Sequence, residues 1–280
     1  MHFHEAPCIY PGEVYLNVTN LERSLEFYTG VIGLQELERT EVKAVLTADG
    51  KTPLVQLEQP ENVTAIEPRR SGLFHFAILV PTRADLGRIL NHFIERNVQL
   101  GASDHIVSEA LYLSDPDGNG IEVYVDRHPD EWQWENGHVV MRTDPLQYED
   151  VLAAGGAGSW EGMPVGTIMG HIHLHVADLQ EAETFYKTLG FEVVSHYPQA
   201  LFMSNGKYHH HIAVNTWNGA GAPRPSALSA GMRAYTLIYP DEETLLASID
   251  QVQEAGNEVK PVSNGYCVED PSGNQILLRL

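Results

Sequence analysis

VYLNVTNLERSLEFYTGVIGL, Val14–Leu34, and IHLHVADLQEAETFYKTLGF, Ile172–Phe191, are two copies of one pattern. Each reads as a short alternating strand and then a helix that closes on an aromatic pair and a glycine. Leu21, Leu25, Tyr28 and Ile32 recur at helical spacing and mark one apolar face. Asp178 and Glu181 predict an N-cap with its box partner, and Gly33 and Gly190 suit a helix exit into the next strand.

A second pair of copies surrounds the first. GLFHFAILVP, Gly72–Pro81, matches GMRAYTLIYP, Gly231–Pro240. Helices follow both, with apolar stripes at Leu86, Ile89, Leu90, Phe93 and Ile94 and at Leu245, Leu246, Ile249 and Val252. SDPDGNGIEVYV, Ser114–Val125, then matches EDPSGNQILLRL, Glu269–Leu280, each a DPxGN turn entering a strand. The chain therefore divides into four units, near 12–60, 70–126, 168–217 and 230–280, each a strand, a helix and three strands. They fall into a first pair over 1–126 and a second over 168–280, joined by a connection over 127–167. That connection carries DEWQWENG and the glycine-rich AAGGAGSWEG, with a short helix expected around Tyr148–Ala154.

At 280 residues, 43% hydrophobic and 20% charged, the composition is that of a globular protein. The formal charge of -21, from 38 acidic against 17 basic residues, repels phosphate backbones and anionic membranes, so no nucleic-acid or membrane partner is expected. Cys8 and Cys267 are too few and too far apart for a disulfide framework or a zinc cluster. MHFHEAPCIY has neither a basic start nor an apolar core, so no signal peptide is expected. No apolar run reaches the ~18 residues of a spanning helix. A cytoplasmic protein is the expectation.

The repeated βαβββ unit resembles the vicinal oxygen chelate superfamily, and the resemblance covers nearly the whole chain. It implies an α+β fold of the glyoxalase/bleomycin resistance/dioxygenase type, with four βαβββ modules forming two incomplete β-barrels and helices outside. Metal-binding members take ligands from the first and last strands of modules. Aligned on Val18, Val80, Val176 and Tyr239, the first strands carry Glu13, His75, His171 and Ala234 five residues upstream. The last strands of units two and four set Glu122 against Leu277. Ile121, Val123 and Val125 are apolar, so Glu122 and Tyr124 share the other face, here the barrel interior. His75, His171 and Glu122 then make a two-histidine, one-carboxylate set, the facial triad of non-heme iron oxygenases. His173 and His175 share the face of His171, with His173 the alternative ligand.

A narrower resemblance lies in S-D-H-IVSEA-L-Y-LS-D-P-D-G-NGI-E, Ser103–Glu122. It is similar to the signature of extradiol ring-cleaving dioxygenases, nearest the bacterial catechol 2,3-dioxygenase group. His105, Leu111, Tyr112, Asp115, Pro116, Gly118 and Glu122 fit, and Ser103 departs. The resemblance makes Glu122 an iron ligand, Tyr112 a hydrogen-bond partner of a substrate oxygen, and His105 a histidine at the pocket mouth. YHHHIAVN, Tyr208–Asn215, is similar to the strand that carries the active-site acid/base histidine of these enzymes, which falls on His210. Simple strand alternation instead turns His209 and His211 to the face of Ala213, unless a bulge intervenes. Many family members carry the signature in the last module, whereas here it lies in unit two. The triad closes if units two and three share a barrel and one and four share the other. If one and two pair instead, Glu13 becomes a candidate ligand.

The resemblance implies Fe(II)-dependent extradiol cleavage of a catechol-type ring with O2, with another divalent metal such as Mn, Ni or Zn as the alternative. The partners are then a small aromatic diol and O2, and a homo-oligomer is left open. Two other activities share the fold. A glyoxalase-like lyase or isomerase takes a fourth protein ligand, for which His211 is available, and a non-catalytic small-molecule-binding member loses its ligands.

Overall fold

A computed structural model describes residues 3–280. Unit one comprises β1 (Tyr10–Asn17), α1 (Leu21–Phe27), β2 (Gln35–Arg39), β3 (Lys43–Thr47) and β4 (Pro53–Glu58). Unit two repeats it in β5 (Gly72–Leu79), α2 (Arg83–Glu95), β6 (Gly101–Asp104), β7 (Ser108–Ser114) and β8 (Gly120–Asp126). The connection holds a small hairpin, β9 (Trp134–Glu135) with β10 (His138–Val139), and α3 (Tyr148–Gly155). Unit three is β11 (Ile168–His175), α4 (Leu179–Thr188), β12 (Glu192–Tyr197), β13 (Ala200–Ser204) and β14 (Ile212–Asn215). Unit four is β15 (Gly231–Ile238), α5 (Glu242–Glu254), β16 (Val259–Val262), β17 (Gly265–Glu269) and β18 (Gln275–Arg279).

The sheets do not follow the order of the chain. One runs β16-β17-β18-β15-β1-β4-β3-β2 and joins units one and four. The other runs β12-β13-β14-β11-β5-β8-β7-β6 and joins units two and three. Within each unit the first and last strands pair in parallel, and the first strands of the two units meet antiparallel at the centre, β1 with β15 and β5 with β11. Each sheet curls into a half-barrel with its helices outside, the α+β architecture expected.

Local chemistry explains the elements. Asn20, Thr82, Asp178 and Asp241 cap their helices by accepting from backbone amides two or three residues on. Leu21, Leu25, Tyr28 and Ile32 are buried as the spacing requires, although the helix opens into a single π turn over Tyr28–Ile32 before Gly33 turns the chain at φ 87°. Two stripe positions are not core. Ile94 is 49% and Leu246 42% exposed, because each lies at the margin of a face already filled by Leu90 and Phe93 or by Leu245 and Ile249.

The DPxGN turns tie units together. The Asp115 carboxylate accepts from the amides of Asp117 and Asn119, from Asn119 Nδ2, and from the Tyr28 hydroxyl of unit one at 2.9 Å. Asp270 of unit four does the same with Ser272, Asn274 and the Tyr186 hydroxyl of unit three. The connection docks through α3. A Cβ on Gly87 of α2 would meet the Val151 carbonyl at 2.2 Å, so the glycine lets the two helix backbones touch. Among the described residues no helix is long and apolar enough to cross a membrane.

Candidate metal centre

Strand pairing sets the centre. Ala77 on β5 faces His171 on β11 to one side and Glu122 on β8 to the other. His75 lies two residues along β5, on the same face. Ala77 is buried and small, so three longer side chains converge above it. His75 Nε2 lies 3.0 Å and His171 Nε2 3.1 Å from Glu122 Oε2, and the two nitrogens are 3.3 Å apart. Ligands about 2.1 Å from one ion stand about 3.0 Å apart at right angles and about 3.4 Å apart in a tetrahedron. The three donors lie close enough to hold one divalent ion together.

The donors suit a divalent cation. Burial drives His171 down to about 4 even with Glu122 pulling the other way, so at neutral pH its ring is uncharged. Burial opposes ionisation of Glu122, but the His171 and His75 rings outweigh it and hold the carboxyl well below the usual range. Among the described residues no lysine or arginine pairs with this buried carboxylate, so a bound cation would supply the missing charge. His173, the alternative ligand, stands outside the cluster. Its Nε2 accepts from Asn215 Nδ2 at 2.9 Å, and its ring packs against Phe74 and His75.

Tyr112 sits directly across the β7–β8 pair from Glu122. Burial, and then the Glu122 charge, push its phenol well above 10. Its hydroxyl lies 2.7 Å from His105 Nε2, while His105 Nδ1 donates to the Arg142 carbonyl at 2.7 Å. The carbonyl only accepts, so it fixes the His105 proton on Nδ1 and leaves Nε2 to receive the Tyr112 proton. A cavity of about 1380 Å³ opens against His75, Tyr112 and Phe74.

The three histidines of Tyr208–Asn215 are all buried but do different things. His210 packs 4.1 Å from the His171 ring and 5.0 Å from Phe202. Burial, with His171 and His209 adding to it, pushes it well below its usual value. His211 is occupied on the other side. Its Nδ1 accepts from the Asn205 amide at 3.3 Å and its Nε2 donates to the Phe3 carbonyl at 2.9 Å. Alternation fails to predict this because β14 begins only at Ile212, and the residues before it are not strand. Gly170 makes room nearby. A Cβ there would lie 2.0 Å from the Tyr124 hydroxyl, and the β5–β11 register breaks at that residue.

Three residues near the centre escape a reading of the sequence. Ala77 carries no chemistry of its own. His209 and Asp126 back His210, with His209 Nδ1 2.8 Å from His210 Nδ1 and His209 Nε2 2.8 Å from Asp126 Oδ1. The parity of E-V-Y-V-D was the available signal, since it sets Glu122, Tyr124 and Asp126 on one face.

Fold and centre together describe a metal-dependent member of a paired-βαβββ class. The sequence profile of the Glyoxalase/Bleomycin resistance protein/Dioxygenase superfamily matches residues 11–123 and 168–278, and the chain belongs to that superfamily. It is 46% identical over 265 residues to the "Catechol-2,3-dioxygenase" of Bacillus subtilis (strain 168), covering 93% of each chain. Among solved structures, a protein of Bacillus subtilis subsp. subtilis str. 168 provisionally called a dioxygenase superposes with a TM-score of 0.65 at 14% identity, over 96% of this chain and 84% of that one. Glyoxalase I from Zea mays superposes with a TM-score of 0.58 at 16% identity, over 96% and 92%. At such identities these two structures speak for the fold alone.

Proposed function

We propose that this protein is an extradiol dioxygenase that opens the ring of a catechol-type diol with O2, using Fe(II) held by His75, His171 and Glu122. The observation that carries the reading is the buried two-histidine, one-carboxylate cluster, whose three ligand atoms lie within 3.3 Å of one another. The 46% identical Bacillus relative, which bears the name of this activity, supports it.

Bound there, Fe(II) would supply a centre at which the two adjacent oxygens of the diol and O2 meet, the open positions of a facial triad allowing both. The chain's own groups do the rest. To hydrogen-bond a substrate oxygen, the Tyr112 hydroxyl turns its proton from His105 to the substrate, where it steadies the charge that grows on that oxygen. His210 moves a proton as the positioned general acid/base beside His171. Phe74 and Phe202 pack against the histidines. We take the substrate to be a small aromatic diol and the setting to be the cytoplasm.

A four-ligand lyase site fits poorly. His211 is committed to Phe3 and Asn205, and the unit-three counterpart of Glu122 by strand register is Ala213. Anaerobic reconstitution with Fe(II), followed by catechol and oxygen, tests the proposal. A yellow ring-opened semialdehyde is expected, and its absence with fully loaded protein would count against it.

A further inference from the structure

Asp126, His209 and His210 form a carboxylate–imidazole–imidazole chain that runs from the rim of the half-barrel to the metal cluster. Asp126 Oδ1 lies 2.8 Å from His209 Nε2, and His209 Nδ1 lies 2.8 Å from His210 Nδ1. The Asp126 side chain is 23% exposed, whereas His209 is buried. We propose that Asp126 and His209 are positioning residues for His210, fixing its ring and its tautomer so that Nε2 keeps a bare lone pair. The inference rests on the ring-cleavage reading for its purpose, though not for its geometry.

While both rings are neutral, each bond in the chain leaves one choice for the next. A carboxylate only accepts, so His209 Nε2 carries a proton. A neutral His209 then has a bare Nδ1, which can only accept. His210 Nδ1 must donate to it, and a neutral His210 keeps no proton on Nε2. Among the described residues no protein group hydrogen-bonds His210 Nε2. The same logic holds the histidine of a serine-protease triad in its working tautomer through an aspartate that never touches substrate.

Packing holds the chain rigid. The His209 ring lies 4.0 Å from Tyr208 and 5.3 Å from Trp132. The Tyr208 hydroxyl donates to the same Asp126 Oδ1 at 3.3 Å and lies 2.6 Å from the Tyr124 hydroxyl. Trp132 comes from the connection, and its indole donates to the Val107 and Arg127 carbonyls. The connection thus clamps His209, although it carries none of the ligands.

The alternative is that Asp126 and His209 merely tie two strands together. Nitrogen-15 NMR of the imidazoles in the full-length, metal-free protein separates the two without relying on turnover. The expected result is His210 protonated on Nδ1 with a bare Nε2. Asp126→Asn should destroy that preference, since an amide donates as readily as it accepts. In the iron-loaded enzyme Asp126→Asn should keep its metal and its anaerobic catechol affinity while kcat falls roughly 10–100-fold, the loss typical when a group that orients a working residue is removed. Asp126→Glu should recover most of it. In a His210→Ala background Asp126→Asn should cost nothing further, because the effect passes through His210. A proton on His210 Nε2 in the unsubstituted protein, the same tautomer in Asp126→Asn, or an undiminished kcat loss in the His210→Ala background would each overturn the proposal. If the tautomers behave as expected but no form of the protein consumes O2 with a catechol, the chain of bonds stands and the ring-cleavage reading falls.

Discussion

His171 Nε2 and Glu122 Oε2 stand 3.1 Å apart although the strands that carry them are not neighbours: β5 runs between β11 and β8, with Ala77 in the gap. The centre therefore depends on the smallness of a residue with no ligand atom. Ala77→Leu would put three more carbons where the ligand side chains converge, and overpacking of this kind displaces neighbours. We expect it to lower metal retention at least ~10-fold, as the loss of a supporting contact does in metal sites. Glu122→Gln, which keeps the shape and removes the charge, should lower it as sharply. Metal analysis after gel filtration checks both. Full metal occupancy in Glu122→Gln would remove the carboxylate from the ligand set.

His210 and His211 are adjacent, but only one is free to work. His210→Ala should retain metal, bind a catechol anaerobically and turn over ~10²–10⁴-fold more slowly, the usual loss of a positioned proton-transfer group. His211→Ala should act on stability instead. It strands the Asn205 amide and the Phe3 carbonyl, a loss of about 1–3 kcal/mol. Steady-state kinetics beside urea denaturation separates the effects. A crippled His211→Ala with a nearly normal His210→Ala would reverse the assignment.

The N-terminal segment is held through histidines that burial keeps uncharged. Burial pushes His211 well below 6.5 and lowers His4, whose Nε2 lies 2.7 Å from the Gly170 carbonyl. Their unfolded forms take up protons near 6.5, while the folded forms wait for lower pH. Between those values the unfolded state binds more protons, so stability is full above about 6.5 and is lost as pH falls below it. At pH 5.5 a deeply depressed histidine costs on the order of 1 kcal/mol relative to pH 7.5. His211→Gln, which can make both hydrogen bonds without titrating, should lose less stability by about that amount. Equal losses in both proteins would show that His211 does not set the acid limit.

The units and the inner face of β8 were legible because they are local. DPxGN recurs word for word, and Ile121, Val123 and Val125 declare the parity of Glu122 within one strand. Which units share a sheet was not legible, since β5–β11 and β1–β15 join residues about a hundred or more apart and leave no local mark. The choice between His210 and His211 was beyond alternation for a different reason. Alternation holds only inside a strand, and both residues precede Ile212. His209 and Asp126 stayed hidden because their roles come from being 2.8 Å apart across two units, not from their spacing in the chain.

The most direct test is oxygen stoichiometry. Protein reconstituted with Fe(II) without air, given a limiting amount of catechol in an oxygen electrode, should consume one O2 per catechol while the yellow semialdehyde appears at the same rate. The same protein loaded with Zn(II) or Ni(II) should do neither. No oxygen uptake with full Fe(II) occupancy, or uptake without ring-opened product, would contradict the assignment of this centre to extradiol cleavage.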